Sequence, residues 1–239
     1  MWWARPAAAT PAAAALLDDG ERRRLGRLHR ADDRARFVAA HALARLVLAP
    51  VTGAPAGDLR FGSACATCGK AGHGKPYLVR AGGGGAAPHF SVAHAGDRVV
   101  VAVTRAGPVG VDVEVVDAVR FAGFDGVALA GSECGVLARL APERHAAARA
   151  TWWVRKEAVL KATGLGLAVD PCDLVVSGPS EPPVLLEWNA PQPVAGKVSL
   201  AEVHLGAGYV STVAVVGAPG GGPVSFRSPS NGDDLLAMH

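Results

Sequence analysis

Residues 109–116, VGVDVEVV, form an octet in which valine alternates with carboxylate. In a β-strand successive side chains point to opposite faces, so Asp112 and Glu114 share one face and the valines share the other. Neighbouring anions repel each other, and neither residue favours a strand. A divalent cation such as Mg²⁺ removes the repulsion, because it prefers carboxylate oxygens together with substrate phosphates. The octet alone fits a metal-binding strand and a strand with a solvated acidic face equally well.

A second segment, residues 153–161 (WVRKEAVLK), shifts this balance. The pattern predicts a helix that opens at Pro142-Glu143 and ends near Thr163, with Gly164 as its terminator. Trp153, Glu157 and Lys161 recur every four residues, so they lie on one face of that helix. The simpler interpretation of Glu157 and Lys161 is a surface ion pair.

Length and composition limit the number of domains, the partners and the compartment that the chain can have. The chain has 239 residues, half of them hydrophobic, and a formal charge of +3, which allows one large domain or two small ones and implies no nucleic-acid partner. The Ala/Pro run at residues 7–17 lacks the flanks of a signal peptide, and no apolar run is predicted to reach the length of a membrane span. Four cysteines without a secretory pattern favour a reducing compartment. We therefore expect a cytoplasmic protein with no membrane segment.

The most basic part of the chain lies between Asp18 and Ala49. Apolar residues there recur three and four positions apart, which predicts two helices with a break near residues 30–32. A solvated helix face is the simpler interpretation of such a charge run. An anion pocket is the alternative, because the guanidinium fork fits phosphate. The arginines are Arg22, Arg23, Arg24, Arg27, Arg30, Arg34, Arg36 and Arg45.

A glycine-rich stretch follows, and it contains two smaller motifs. Cys65 and Cys68 form a CxxC pair with His73 close behind, which supplies three zinc ligands, and Cys134 or Cys172 could complete the set only through the fold. Reduced thiols that stiffen a loop are the simpler interpretation. Residues 74–76, GKP, follow, and on their own they are a weak signal for a loop that faces phosphate.

The strands before and after the octet complete the pattern. Residues 89–94 lead into a buried strand at 99–103, and the turn at 107–108 predicts a hairpin between that strand and the octet. His94 would then lie near the carboxylates, although a lone histidine is more often structural. Strands are also predicted near 174–176, 184–188, 197–205 and 209–216, and the Pro/Gly/Ser-rich residues 218–239 are predicted to be a disordered tail.

In this order the motifs resemble the Sfp-type 4′-phosphopantetheinyl transferases over roughly residues 22–216. Residues 110–114 resemble the family's G-[IV]-D-[IV]-E block, and residues 153–161 resemble its W-x-x-K-E-A-x-x-K block. The GKP element at 74–76 and the segment around His94 also match. One departure is Ala93, where the family pattern has serine before the histidine; Ser91 is the candidate to supply the missing hydroxyl.

The resemblance implies an α+β fold of two similar α/β subdomains related by a pseudo-twofold axis, here residues 1–115 and 116–217, with coenzyme A in the cleft between them. It implies Mg²⁺-dependent transfer of 4′-phosphopantetheine from coenzyme A to a serine of an apo acyl or peptidyl carrier protein, with release of 3′,5′-ADP. The implied residues are Glu157 and Lys161 for catalysis, Asp112, Glu114 and Glu157 for the metal, and Arg24, Arg36, Arg45, Lys75, Pro76, His94 and Asp112 for the cofactor.

Three rival interpretations remain. The chain could be an inactive homologue that binds coenzyme A, a different Mg²⁺-dependent phosphohydrolase or nucleotidyl enzyme, or a zinc-dependent interaction module built on Cys65 and Cys68. The intact set of carboxylates and Lys161 argues against the first. The likeness to broad-specificity transferases indicates a monomer that serves polyketide or nonribosomal peptide synthesis.

Overall fold

A computed structural model describes residues 1–80, 86–217 and 224–238. The fold is α+β, as the sequence indicates. The helices are α1 (Pro11–Ala15), α2 (Asp19–Leu25), α3 (Ala31–Thr52), α4 (Phe124–Ala128), α5 (Gly131–Leu137), α6 (His145–Thr163) and α7 (Asp233–Ala237). The strands are β1 (Trp2–Ala4), β2 (Arg60–Ala64), β3 (Lys75–Arg80), β4 (His89–Ala95), β5 (Arg98–Thr104), β6 (Val109–Val115), β7 (Leu174–Val176), β8 (Leu185–Trp188), β9 (Val198–Glu202), β10 (Tyr209–Val216) and β11 (Ser230–Asn231).

Two sheets pack face to face, and each carries a long helix on its outer side. The first sheet has the order β11-β1-β5-β4, and α3 packs on it through a buried core that includes Leu43, Val99 and Val101. The second sheet has the order β6-β10-β9 and carries α6. The opposite faces of the two sheets meet in a second core, in which Val100 of β5 lies with the valines of β6 and β10.

The octet forms the edge strand β6, and its two faces differ as predicted. Val109, Val111 and Val113 are buried in the core between the sheets. The intervening positions therefore face α6. The cross-strand partner of Asp112 on β10 is Thr212. The sheet thus presents one carboxylate-bearing face to a single helix.

The predicted hairpin between β5 and β6 is wrong. β5 pairs with β1 and β4, whereas β6 pairs with β10, about a hundred residues away in sequence. The physical reason is that the valine face of β6 packs onto β5 in the core, so the turn at residues 105–108 carries the chain between sheets. The division into residues 1–115 and 116–217 would fall between β6 and its sheet partner β10, and it stays a prediction. The pseudo-twofold relation stays a prediction.

Gly110 allows α6 to lie directly on β6. A Cβ at this position would lie 2.0 Å from the carbonyl oxygen of Ala158 and 2.4 Å from the amide nitrogen of Ala162. Any larger residue would therefore collide with helix backbone, which cannot yield as a side chain can. α6 ends where predicted, at Gly164, whose φ of 79° is the left-handed helix cap that glycine favours. Between these glycines the last turns of α6 are fixed over the strand.

The predicted disordered tail is wrong for residues 224–238; residues 218–223 and 239 lie outside the described part. β11 pairs in parallel with β1, and Leu236 of α7 is fully buried against α3. Asp233 accepts hydrogen bonds from the Arg5 backbone N–H (2.7 Å) and the Arg5 Nε–H (2.8 Å). These contacts order a segment whose composition resembles a linker.

The predicted helices near the N-terminus are confirmed, with Asp18 capping α2 and the break before α3. Among the described residues, α3 is long enough and apolar enough to span a membrane, judged by length and composition alone. Of the apolar 18-residue stretch within it, 61% is buried inside the protein. The expectation that no segment reaches that length is corrected here, because the alanine-rich second half raises the hydropathy of α3. Its packing on β5 is that of a core helix.

Replacing Gly110 with alanine should destabilise the protein by about 2–3 kcal/mol, since the added methyl overlaps helix backbone. The measurement is the free energy of unfolding in urea. Gly135→Ala is the matched control. Gly135 lies exposed in α5, and an added Cβ would have no other atom within 4 Å. This substitution should therefore be neutral or stabilise the protein by up to about 1 kcal/mol. Equal stability of Gly110→Ala and wild type would contradict the close packing of α6 on β6.

Candidate active site

Asp112, Glu157 and Lys161 meet where α6 crosses β6. Lys161 Nζ lies 2.5 Å from Asp112 Oδ1, an ion pair across 49 residues of sequence. Glu157 is one helical turn before Lys161 on the same face, as its spacing predicts. Glu114 lies two residues beyond Asp112 on the same face of the strand. The three predicted carboxylates and the lysine therefore form one cluster.

Two carboxylate oxygens of this cluster are buried and have no hydrogen-bond partner among the described residues. They are Asp112 Oδ2 and Glu157 Oε1. A buried acceptor without a partner costs free energy, so such atoms indicate that something else binds there. Three carboxylates face one ammonium group, which leaves an excess of negative charge. Unpaired carboxylate oxygens with excess negative charge fit Mg²⁺.

Burial raises the pKa values of all three carboxyls, and repulsion between carboxylates adds to the shift at Glu114 and Glu157. The pKa of Glu157 rises to about 7, first through burial and then through the charges of Asp112 and Glu114, while Lys161 opposes the shift. Burial also raises the pKa of Asp112, against the attraction of Lys161, and burial together with the Asp112 charge raises the pKa of Glu114. Because the Glu157 proton is held more tightly than usual, this carboxyl can release it to make room for a cation, or accept a proton, near neutral pH.

The structure contains two adjoining cavities of about 600 Å³ each, and two residues of the cluster line one of them. The α6 cavity is lined by Glu157 and Lys161, by Ser91 of β4 and by the turn after α6. The α3 cavity lies between α3 and the β2–β3 hairpin, and Arg24 and His94 line it. Pro76 and Val92 border both cavities. Volumes of this size hold small-molecule ligands.

The structure does not place Lys75 as a phosphate ligand. Its ammonium donates to three backbone carbonyls, those of Val109 (3.0 Å), Lys161 (2.8 Å) and Ala162 (2.7 Å). These bonds use all three donors of the group, and two of the acceptors are orphan carbonyls at the end of α6. Burial lowers the pKa of Lys75 to about 8. Lys75 therefore ties the β2–β3 hairpin to α6 and β6.

Arg45 is likewise structural, which corrects its predicted role in binding the cofactor. Its side chain is fully buried, and its guanidinium donates to the Leu59 carbonyl (2.5 Å) and to Glu21 Oε2 (2.5 Å). Glu21 also contacts His41 Nδ1 at 2.7 Å. These partners, Arg45 and His41, help to lower the pKa of Glu21 to about 2 against the opposing effect of burial. Arg45 Nε has no hydrogen-bond partner among the described residues, but the side chain is fully buried and offers no exposed donor to a ligand.

Of the remaining predicted cofactor residues, Asp112 belongs to the carboxylate cluster, and the others lie at or near the α3 cavity. Arg24 is exposed and lines it, and so do Pro76 and His94. Arg36 is engaged by Asp33 Oδ1 (2.6 Å) and the Gly96 carbonyl (3.1 Å). Partial desolvation, followed by the positive charge of Arg36, lowers the pKa of His94. Of the three predicted arginines, Arg24 is the one placed at a cavity.

Ser91 and Ala93 share one face of β4. The Ser91 hydroxyl oxygen accepts a hydrogen bond from the Val111 backbone N–H at 3.1 Å and links the two sheets. Ser91 also lines the α6 cavity, whereas Ala93 is buried in the core. The structure thus brings a hydroxyl to this cavity at residue 91, two positions from where the family pattern has it.

Several residues that support the site or line its cavities were not predicted from the sequence. Lys156 is fully buried and pairs with Glu133 Oε2 at 2.5 Å, which anchors α6 to α5. Glu133 also accepts from the backbone N–H groups of Ala130 (2.9 Å) and Val176 (3.0 Å). The sequence pattern at 156–157 drew attention to Lys156 and Glu157 together, but only the fold shows that Lys156 points into the core. Aromatic side chains of Phe37, Phe61 and Tyr77 line the α3 cavity, and no sequence pattern indicated them.

The family comparison matches the segment that carries the carboxylates. Residues 108–214 match the 4′-phosphopantetheinyl transferase superfamily, a span that is less than half of the 239-residue chain and runs from β6 through most of β10. The match confirms the resemblance at the level of the superfamily. The enzyme class that it supports is 4′-phosphopantetheinyl transferase. The Sfp-type subfamily stays a prediction.

No curated protein matches the chain. Solved structures resemble it only at low sequence identity. A holo-(acyl-carrier-protein) synthase from Bacillus anthracis str. Ames, in complex with CoA (3′,5′-ADP), is 22% identical with a TM-score of 0.39, over 46% of this chain and 96% of that one. The holo-[acyl-carrier-protein] synthase of Thermotoga maritima is 22% identical with a TM-score of 0.36, over 46% of this chain and 63% of that one. The site described above stands on its own geometry.

The metal-free protein should lose stability through Glu157 as pH rises from about 4.5 to about 7, because the folded state holds this proton after the unfolded state has released it. Glu157→Gln cannot lose the proton, so it should gain stability relative to wild type at pH 7 and much less at pH 5. Urea unfolding in EDTA at both pH values measures this. The comparison with the variant isolates Glu157, because the lowered pKa of His94 makes the stability of the protein rise, rather than fall, with pH.

Glu143→Gln is the control for that experiment, since Glu143 is exposed in the turn before α6. It should shift stability equally at the two pH values. A Glu157→Gln shift that is also independent of pH would contradict a raised pKa at Glu157.

Proposed function

We propose that this chain transfers 4′-phosphopantetheine from coenzyme A to a serine of an apo acyl or peptidyl carrier protein and releases 3′,5′-ADP. The observation that carries the proposal is the cluster of Asp112, Glu114, Glu157 and Lys161. It has unpartnered buried oxygens, it borders a ligand-sized cavity, and it lies in the segment that matches the superfamily.

Glu157 is the base in this proposal. In the reaction the serine oxygen attacks a pyrophosphate phosphorus of coenzyme A, a new P–O bond forms, and the P–O bond to 3′,5′-ADP breaks. The serine proton must go to a nearby acceptor. Glu157 lines the α6 cavity, and in the metal-free protein its pKa of about 7 allows proton exchange near neutral pH. A bound Mg²⁺ would lower this pKa, and Glu157 would then take the serine proton as an ionised carboxylate.

Asp112, Glu114 and Glu157 would hold the Mg²⁺. When bound, the ion supplies positive charge to pyrophosphate oxygens that become more negative in the transition state. The unpartnered Asp112 Oδ2 and Glu157 Oε1 support this assignment. Lys161 contributes a fixed positive charge at the same point and keeps Asp112 oriented through its 2.5 Å contact.

The α3 cavity suits the nucleotide end of coenzyme A. It adjoins the α6 cavity at Pro76 and Val92, so one extended ligand can occupy both. Arg24 and His94 offer donors for phosphate there, and Phe37, Phe61 and Tyr77 offer aromatic faces for a base. The nucleotide phosphates would thus lie between these donors and the carboxylate cluster.

The cellular setting is also part of the proposal. We infer a cytoplasmic monomer without a membrane or nucleic-acid partner, which modifies carriers of polyketide or nonribosomal peptide synthesis. The four cysteines are free thiols, as suits a reducing compartment.

Incubation of the protein with coenzyme A, Mg²⁺ and an apo carrier protein should add one phosphopantetheine to the carrier, as seen by intact-mass spectrometry. EDTA should abolish the gain, and Asp112→Ala should reduce the rate by at least about 100-fold, because a metal ligand and the Lys161 contact are both lost. Asp112→Ala should stay folded, since it relieves repulsion within the cluster.

Asp117→Ala is the matched control, because Asp117 is an exposed carboxylate near the end of β6 that pairs with Arg120. It should transfer at the wild-type rate. Cleavage of coenzyme A without a gain in carrier mass would identify a hydrolase instead. A folded protein that binds coenzyme A but modifies neither acyl nor peptidyl carriers would identify an inactive homologue.

A further inference from the structure

The CxxC segment and His73 come together at the tip of the β2–β3 hairpin. The two sulfurs and one imidazole nitrogen lie within 4.8 Å of one another, and Cys68 Sγ is 3.3 Å from His73 Nε2. A tetrahedral zinc ion with Zn–S of about 2.3 Å and Zn–N of about 2.0 Å holds such atoms about 3.5–3.8 Å apart. The three donors therefore need to move little to bind one ion.

The backbone around these residues is built as a tight loop. The Gly69 N–H donates to the Cys65 carbonyl (2.9 Å), and Gly69 has a φ of 69°, which favours glycine. The Cys65 N–H donates to the Lys70 carbonyl (3.2 Å). This loop presents the two sulfurs of the CxxC pair on one side.

We propose that Cys65, Cys68 and His73 bind one Zn²⁺ and that the ion fixes the loop that forms one wall of the α6 cavity. Two thiolates and an imidazole are a ligand set that zinc prefers over magnesium. All three residues line the α6 cavity together with Glu157 and Lys161. Three protein ligands leave the fourth position open to water or to a donor atom in that cavity.

The other two cysteines do not take part. Cys134 lies in α5 against the core that contains Trp152, and the Cys172 thiol donates to the Gly126 carbonyl at 3.7 Å. The fold does not bring either of them to the site as a fourth ligand, because α5 and the segment after α6 hold them elsewhere. They serve as internal controls, since they are the same residue type in the same chain.

The test measures metal in the purified full-length protein. Wild type should contain about one zinc per chain by mass spectrometry of the metal. Cys65→Ser, Cys68→Ser and His73→Ala should lose most of it, while Cys134→Ser and Cys172→Ser should keep it. Circular dichroism checks that each variant is folded.

Cobalt uptake gives a second readout that needs no variant. Apo wild type titrated with Co²⁺ should show thiolate-to-cobalt charge-transfer bands and the visible bands of tetrahedral cobalt. Zinc content that is unaffected by the three substitutions, or a reduced wild type that takes up neither zinc nor thiolate-bound cobalt, would overturn the proposal. So would a Cys65–Cys68 disulfide, seen as two thiols that titrate only after reduction. Neither measurement depends on transferase activity.

Discussion

The approach of α6 to β6 is the contact on which the rest of the structure depends. At Gly110 there is no Cβ to collide with the helix backbone, so the helix lies directly on the strand. With that space closed, Glu157 and Lys161 reach the carboxylates of the strand, and Lys161 pairs with Asp112. Lys75 then joins the β2–β3 hairpin to the same end of α6. The carboxylate cluster thus arises from backbone proximity, and its side chains come from two separate segments, β6 and α6.

The same contact explains why the site is electrostatically unbalanced. One lysine faces three carboxyls in a partly buried crevice, and burial raises the pKa of each. A purely structural cluster would gain by replacing one carboxylate with a neutral residue. The imbalance, together with the two unpartnered oxygens, indicates a site whose charge is completed by a ligand.

The sequence predicted those features that depend on local periodicity. The alternation in β6 placed Asp112 and Glu114 on one face, and the four-residue spacing in α6 placed Glu157 beside Lys161. It could not predict partners distant in sequence. The burial of Arg45 depends on Glu21, 24 residues earlier. The order of the C-terminal segment depends on Arg5 and Asp233, which are 228 residues apart. Two neighbouring valine-rich strands likewise predicted a hairpin, although they lie in different sheets.

The most direct test of this account is a crystal structure with coenzyme A and Mn²⁺, which binds oxygen ligands as Mg²⁺ does and can be located by anomalous scattering. The account predicts an anomalous peak within bonding distance of Asp112 Oδ2 and Glu157 Oε1, next to the pyrophosphate. A structure with coenzyme A bound and no manganese at these two oxygens would contradict it.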